Sequence, residues 1–82
     1  MSLKAYVLIN TKIGKTTEVA KKLKQMPSVK RIDIIMGPYD IIAEVEADEH
    51  ESLAHLVMDK FQIIEDINHT MTCPVVSIDE LS

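Results

Sequence analysis

The sequence predicts one α+β domain of the ferredoxin-like kind, βαββαβ, a four-stranded antiparallel sheet with two helices on one face. Three observations carry that expectation. Four segments alternate side chains with period two, two segments repeat their apolar residues at helical spacing, and the two kinds follow in the order strand, helix, strand, strand, helix, strand. A chain of 82 residues has room for a single domain, so residues 1–82 are expected to form one unit.

Residues 4–10 place Ala5, Val7 and Ile9 on one side and Tyr6, Leu8 and Asn10 on the other, a strand largely apolar on both faces. The pattern breaks over Thr11-Lys12-Ile13-Gly14. Thr16 or Thr17 is then placed to cap a helix over about 15–26, with Val19, Ala20, Leu23 and Met26 inward and Lys21, Lys22 and Lys24 outward. Pro27 ends it, because the residue before a proline is driven out of the helical region. Ile32, Ile34 and Met36 alternate with Arg31, Asp33 and Ile35 in a second strand. Gly37-Pro38-Tyr39-Asp40 is turn chemistry, Pro38 setting φ and Gly37 free to adopt a conformation other residues resist. A third strand follows antiparallel to the second, with Ile41, Ala43, Val45 and Ala47 against Ile42, Glu44 and Glu46.

Asp48 followed by Glu51 resembles a capping box, and Leu53, Leu56, Val57, Lys60, Phe61 and Ile64 form one stripe of the second helix, the stem of Lys60 filling a slot. The final strand is expected from Ile67 to Ile78. Pro74 inside it marks a sheet edge, since proline cannot donate to a ladder. With Ala5, Val7, Ile9, Ala43 and Val45 turned to the helices, the other face should carry Tyr6, Leu8, Ile42, Thr70 and Thr72. An open apolar face on a small domain predicts a homodimer packed sheet to sheet and assembling further.

Composition removes several functions. Two glycines cannot write a phosphate-binding glycine loop, and one cysteine with three scattered histidines excludes the Cys/His zinc frameworks and any internal disulfide. A net charge of −4 with no Trp, one Phe and two Tyr argues against a direct nucleic-acid surface. The apolar run at residues 4–10 is too short for a signal peptide or a membrane span, so the expected location is cytoplasmic. Charge is unevenly spread: residues 1–31 hold seven Lys and Arg31 against Glu18, whereas residues 32–82 hold Lys60 against twelve acids. The halves should attract, either by packing side by side in the fold or by presenting a basic face to an acidic partner.

Met36-Gly37-Pro38-Tyr39-Asp40-Ile41-Ile42-Ala43-Glu44-Val45 resembles the Gly-x-Tyr-Asp hairpin of the Lrp/AsnC family, the leucine-responsive regulators. Tyr6-Val7-Leu8-Ile9 is similar to the first strand of that family's C-terminal effector-binding (RAM) domain. Val19-Ala20-Lys21-Lys22-Leu23 resembles its first helix, and Thr70-Met71-Thr72 its Thr-x-Thr. The resemblance covers nearly the whole chain and lacks the family's N-terminal helix-turn-helix, so it implies a stand-alone effector domain.

It also implies a small amino acid bound between dimers, with Gly37, Tyr39, Asp40, Thr70 and Thr72 as effector-binding residues. A zwitterion needs carboxylate or carbonyl acceptors at one end and N–H or O–H donors at the other. Asp40 can accept from the ammonium. The turn N–H groups near Gly37 and Tyr39, with Thr70 and Thr72 from a neighbouring subunit, can hold the carboxylate. Each has a plainer role: Gly37 and Asp40 in the turn, Tyr39 in packing, the threonines as strand formers. Pro38 restricts the loop and hence the pocket. On this reading Asp40→Ala removes effector binding and leaves the fold intact.

Glu51, His55 and Asp59 recur at i, i+4 and i+8, a spacing open to a metal but ordinary for a solvated helix face. No metal, cofactor or catalytic residue is expected, and Cys73 reads as a small strand residue. The expected function is a non-enzymatic, oligomeric amino-acid-binding module that regulates transcription indirectly, by co-assembling with a full-length Lrp/AsnC regulator. The alternative is a dimeric α+β-barrel enzyme that encloses a small organic substrate between its sheets, with His69 or Tyr6 moving the proton.

Overall fold

The computed structural model describes residues 2–76. Strand β1 (Leu3–Thr11) leads into helix α1 (Thr16–Lys24), followed by β2 (Val29–Ile34), β3 (Ile41–Ala47), helix α2 (His50–Leu56) and β4 (Ile67–Pro74). A π-helical turn, Val57–Phe61, continues α2. The sheet is antiparallel throughout, in the order β2-β3-β1-β4, and both helices cover one face. This is the ferredoxin-like α+β fold that the alternation predicted.

The core follows from the same alternation. Ala5, Val7 and Ile9 of β1 and Ile41, Ala43 and Val45 of β3 are fully buried, facing Val19 and Leu23 of α1 and Phe61 of the π-turn. β1 and β3 are the two inner strands, which is why their inward residues are the most completely covered. Gly14, at φ +81°, turns the chain between β1 and α1 in a region that side chains rarely adopt. Gln62 N–H donates to the Val57 carbonyl at 2.8 Å, closing the wide turn.

Several local expectations are corrected. Lys15 occupies the cap position of α1 and Glu49 that of α2, with no side-chain cap bond at either. Thr16 is the first helical residue, and its hydroxyl pairs with Thr11 instead. Lys60 is exposed and fills no core slot. Gly37 does not have a positive φ, so the turn makes no use of its conformational freedom. The last strand ends at Pro74, on the expected edge, and the predicted extension to Ser77 and Ile78 lies outside the described residues.

The most consequential correction concerns β4. Its register pairs Val7 with Thr72 and Ile9 with Thr70, whereas Tyr6, Leu8 and Asn10 pair with Cys73, Met71 and His69. Directly paired residues share a face. Thr70 and Thr72 therefore lie on the helix side, and His69, Met71 and Cys73 on the open side. At the edge the helical cover is thin, so both threonines are only half-buried.

The open face carries Tyr6, Leu8, Ile42 and Met71, an apolar strip bordered by charge. Lys4 lies 3.6 Å from Glu44, and Arg31 3.1 Å from Asp33. A shallow hollow of about 190 Å³ lies among Tyr6, Arg31, Asp33, Ile42 and Glu44. The Lys4 ammonium has its pKa raised above the ordinary lysine value, by the Tyr6 side chain first and the Glu44 carboxylate next.

Candidate functional site

Three connections gather at the end of the sheet where β1 stops: residues 12–15, the hairpin turn 35–40 and residues 62–66. Lys12 N–H donates to the Asp66 carbonyl at 2.8 Å, tying the first to the third. The hairpin turn is held to β1 by main chain and side chain together. Asp40 N–H donates to the Ile9 carbonyl at 2.9 Å and Ile35 N–H to the Asp40 carbonyl at 2.9 Å. The Asn10 amide donates to the Pro38 carbonyl at 2.7 Å, fixing the proline despite its missing N–H.

Asp40 is pinned by its own side chain. Its Oδ2 accepts the Thr11 N–H at 2.8 Å and the Thr11 hydroxyl at 3.3 Å, and Thr11 Oγ1 lies 2.7 Å from Thr16 Oγ1. Thr11 is 8% exposed, the buried polar residue of the core. The carboxylate thus joins the hairpin to the end of β1 and, through Thr11, to the first turn of α1, and its bonds are made by Oδ2.

Tyr39 crosses β1 to reach β4. Its ring stacks on His69 with centroids 6.3 Å apart and an interplanar angle of 25°, and its hydroxyl sits 3.7 Å from Met71 Sδ. The hairpin and the last strand are therefore brought together, through His69 and Met71 and not through the threonines. Thr70 opens instead on a cleft of about 370 Å³ around the β4 edge, lined by Gln62, Ile67, Asn68, His69 and Thr70, where the Gln62 amide donates to its hydroxyl at 3.5 Å. Thr72, two residues further along, lies outside that cleft. Within one chain the structure groups Tyr39 with His69, His69 with Thr70, and Asp40 with Thr11.

Gly37 is exposed, and a methyl group built on it meets nothing within 4 Å. The isolated fold has no use for a glycine there. Gly37→Ala is accordingly expected to leave stability unchanged or to raise it by up to about 1 kcal/mol through the unfolded chain, as measured by urea denaturation. A loss of amino-acid response in the same variant would assign the glycine to close approach of a ligand or a neighbouring subunit. Strong destabilisation would return it to the turn.

The other constellations carry less. His55 bridges Glu51 at 3.9 Å and Asp59 at 3.3 Å along an exposed helix face, and no group of three or more His, Cys, Asp or Glu side chains among the described residues is arranged to hold a metal. Tyr6 and His69 share the open face but stand four residues apart in register, about 13 Å along the strands. No helix among the described residues is long and apolar enough to cross a membrane.

Residues 4–78 match the family model described as the Lrp/AsnC ligand binding domain. The HTH-type transcriptional regulator FL11 of Pyrococcus furiosus is 31% identical over 74 residues, covering 90% of this chain and 48% of that protein. The chain spans half or less of the length of the curated relatives it matches. Among solved structures, the hypothetical protein PHS023 from Pyrococcus horikoshii superimposes with a TM-score of 0.85 at 34% identity, over 94% of this chain and 92% of that one. The transcriptional regulator NMB0573 of Neisseria meningitidis, solved as a complex with L-Met, shares the fold with a TM-score of 0.84 at 15% identity, over 93% of this chain and 51% of its own.

Proposed function

This chain belongs to the Lrp/AsnC ligand-binding domain family, and from that premise we propose that residues 1–82 form one non-enzymatic module that binds an amino acid between its own copies at the hairpin end. The observation that carries the reading is the exposure of three large apolar side chains around that end. Ile13 is 102% exposed, Met36 101% and Ile63 71%, one from each of the three connections that converge there. Apolar tips clustered on one end of a small domain mark a surface that another protein covers. A second copy supplies that cover and the donors a single chain cannot direct at the same ligand.

The chemistry suits a zwitterion. The N–H groups of Gly37 and Tyr39 make no backbone hydrogen bond among the described residues, so they are available to a carboxylate. Asp40 Oδ1 is available to an ammonium, and Thr70 and Thr72, half-buried on the helix side, belong to an edge strand that a neighbouring copy can reach. The amino-acid ligand of the Neisseria relative supports the same class of effector. The apolar strip of the open face is proposed to pack sheet to sheet in a homodimer, with the hairpin ends joining dimers. Regulation is proposed to run through co-assembly with a full-length Lrp/AsnC regulator, in keeping with the regulator relatives.

A thermal-shift screen with the common amino acids tests the proposal. At a hundredfold excess over its Kd, a ligand of the folded state adds about 2.7 kcal/mol, which raises Tm by roughly 4–8 °C per kcal/mol for a domain of this size. At least one amino acid is expected to do so at millimolar concentration. Uniform silence across the set would remove the effector reading. Native mass spectrometry of the chain mixed with a full-length relative should show mixed complexes, and their absence with and without amino acids would remove the partner.

A further inference from the structure

Among the described residues, the uneven charge of the sequence is not paired off between its basic and acidic segments. Residues 12–30 hold six lysines against one glutamate, and residues 48–66 six acids against one lysine, equal and opposite totals. α1 and α2 lie side by side on the same face of the sheet, yet among the described residues no ion pair joins the two segments. The ion pairs that do form lie on the open face or within a single helix.

Shape accompanies the charge. Between α1 and α2 runs a groove of about 370 Å³, with Met26 and Leu56 among its lining and Lys22 and Lys60 on its walls. On the outer side of α2, two positions round from the buried Leu53, Val57 and Phe61, Glu51, His55 and Asp59 form an exposed ridge in which the imidazole bridges both carboxylates. Eight steps of helical rise from Glu51 to Asp59 make that ridge about 12 Å long, close to the length of the nine-residue α1.

We propose that the helical layer is a self-association surface, in which the Glu51–His55–Asp59 ridge of one copy enters the Lys22/Lys60 groove of a second, and reciprocally about a two-fold axis. Like-charged elements would face each other if the copies stacked in parallel; the two-fold arrangement instead sets each basic α1 against an acidic α2 and closes the contact on itself. A second copy is the favoured occupant because the chain carries a complement of matched length and matched charge. This surface is separate from the hairpin end and from the open sheet face, and it needs no effector.

Sedimentation velocity of the full chain tests it. Raising salt from about 0.1 M to about 1 M shortens the Debye length from about 10 Å to about 3 Å, and the mean mass is expected to fall roughly by half as the two-fold contact opens. At low salt the variants Lys22→Glu/Lys60→Glu and Glu51→Lys/Asp59→Lys are each expected to show the smaller species, with unchanged circular dichroism. Their equimolar mixture should recover the sedimentation coefficient of the parent chain. Salt-independent mass in the parent overturns the proposal without recourse to any variant. So does parental assembly by both variants, or a mixture that stays small. Tight binding of an added acidic protein or polyanion by a chain that stays at the smaller mass at low salt would move the groove to a foreign partner and equally overturn self-association.

Discussion

Replacing Phe61 with alanine is expected to destabilise the domain by about 3–5 kcal/mol, the range for truncating a buried aromatic ring. Phe61 is the largest of the fully buried side chains and sits at the end of the π-turn, beneath both inner strands. At about 0.05–0.15 kcal/mol per residue, the whole stability of an 82-residue domain is about 4–12 kcal/mol. The variant should therefore lose most of its folded baseline in a urea titration, whereas Phe61→Leu, which keeps much of the volume, should retain a cooperative transition. A loss under 1 kcal/mol for the alanine variant would mean that the wide turn relaxes into the space, and that the core does not depend on it.

Asp40→Ala is expected to lower stability by about 1–3 kcal/mol, the cost of leaving a buried donor without an acceptor. The donor is Thr11 N–H, 2.8 Å from Oδ2 in a residue that is 8% exposed. The expectation from sequence that this substitution spares the fold is replaced by the geometry, because the carboxylate that is a candidate for the ammonium also holds β1, the hairpin and α1 together. Asp40→Asn separates the two roles. It keeps an acceptor oxygen for Thr11 and removes the charge, so its melting temperature should stay close to that of the parent. If an amino-acid shift present in the parent disappears in Asp40→Asn at retained stability, the carboxylate touches the effector. An undiminished shift would confine Asp40 to holding the turn.

Much of this protein was legible in its residues. The inner strands show why: in β3 Ala43 and Val45 alternate with Glu44 and Glu46, which sets its inward face, and the pairing of β1 with β3 then turns Ala5, Val7 and Ile9 inward although both faces of β1 are largely apolar. Pro74 pointed to an edge and β4 is at the edge. The Gly-x-Tyr-Asp turn pointed to a hairpin, and residues 35–40 do join β2 to the antiparallel β3.

The residues that meet there were less legible. In β4 the sets that alternate along the sequence are Asn68, Thr70 and Thr72 against Ile67, His69, Met71 and Cys73, and hydropathy favours turning the second set to the helices, whereas the pairing with Val7 and Ile9 turns Thr72 and Thr70 there. A bulge between Asn10 and Thr11 shifts the pairing further. Thr11 offered a signal, a polar residue continuing the inward row of β1 after Ile9, and a buried threonine needs a partner; which partner depends on where the chain returns twenty-nine residues later.

The sequence by itself determined the element order, the faces of the inner strands, the position of the edge and the surplus of opposite charges in its two halves. These are properties of local periodicity and composition, and short-range sterics and burial suffice to express them. Only the tertiary structure decided that Thr70 and Thr72 lie on the helix side, that Tyr39 meets His69, that Asp40 is bound to Thr11, and that among the described residues no ion pair joins α1 to α2 across the helical layer. Each depends on register or on the distance between segments remote in the chain, and those are set by the packing of the whole core.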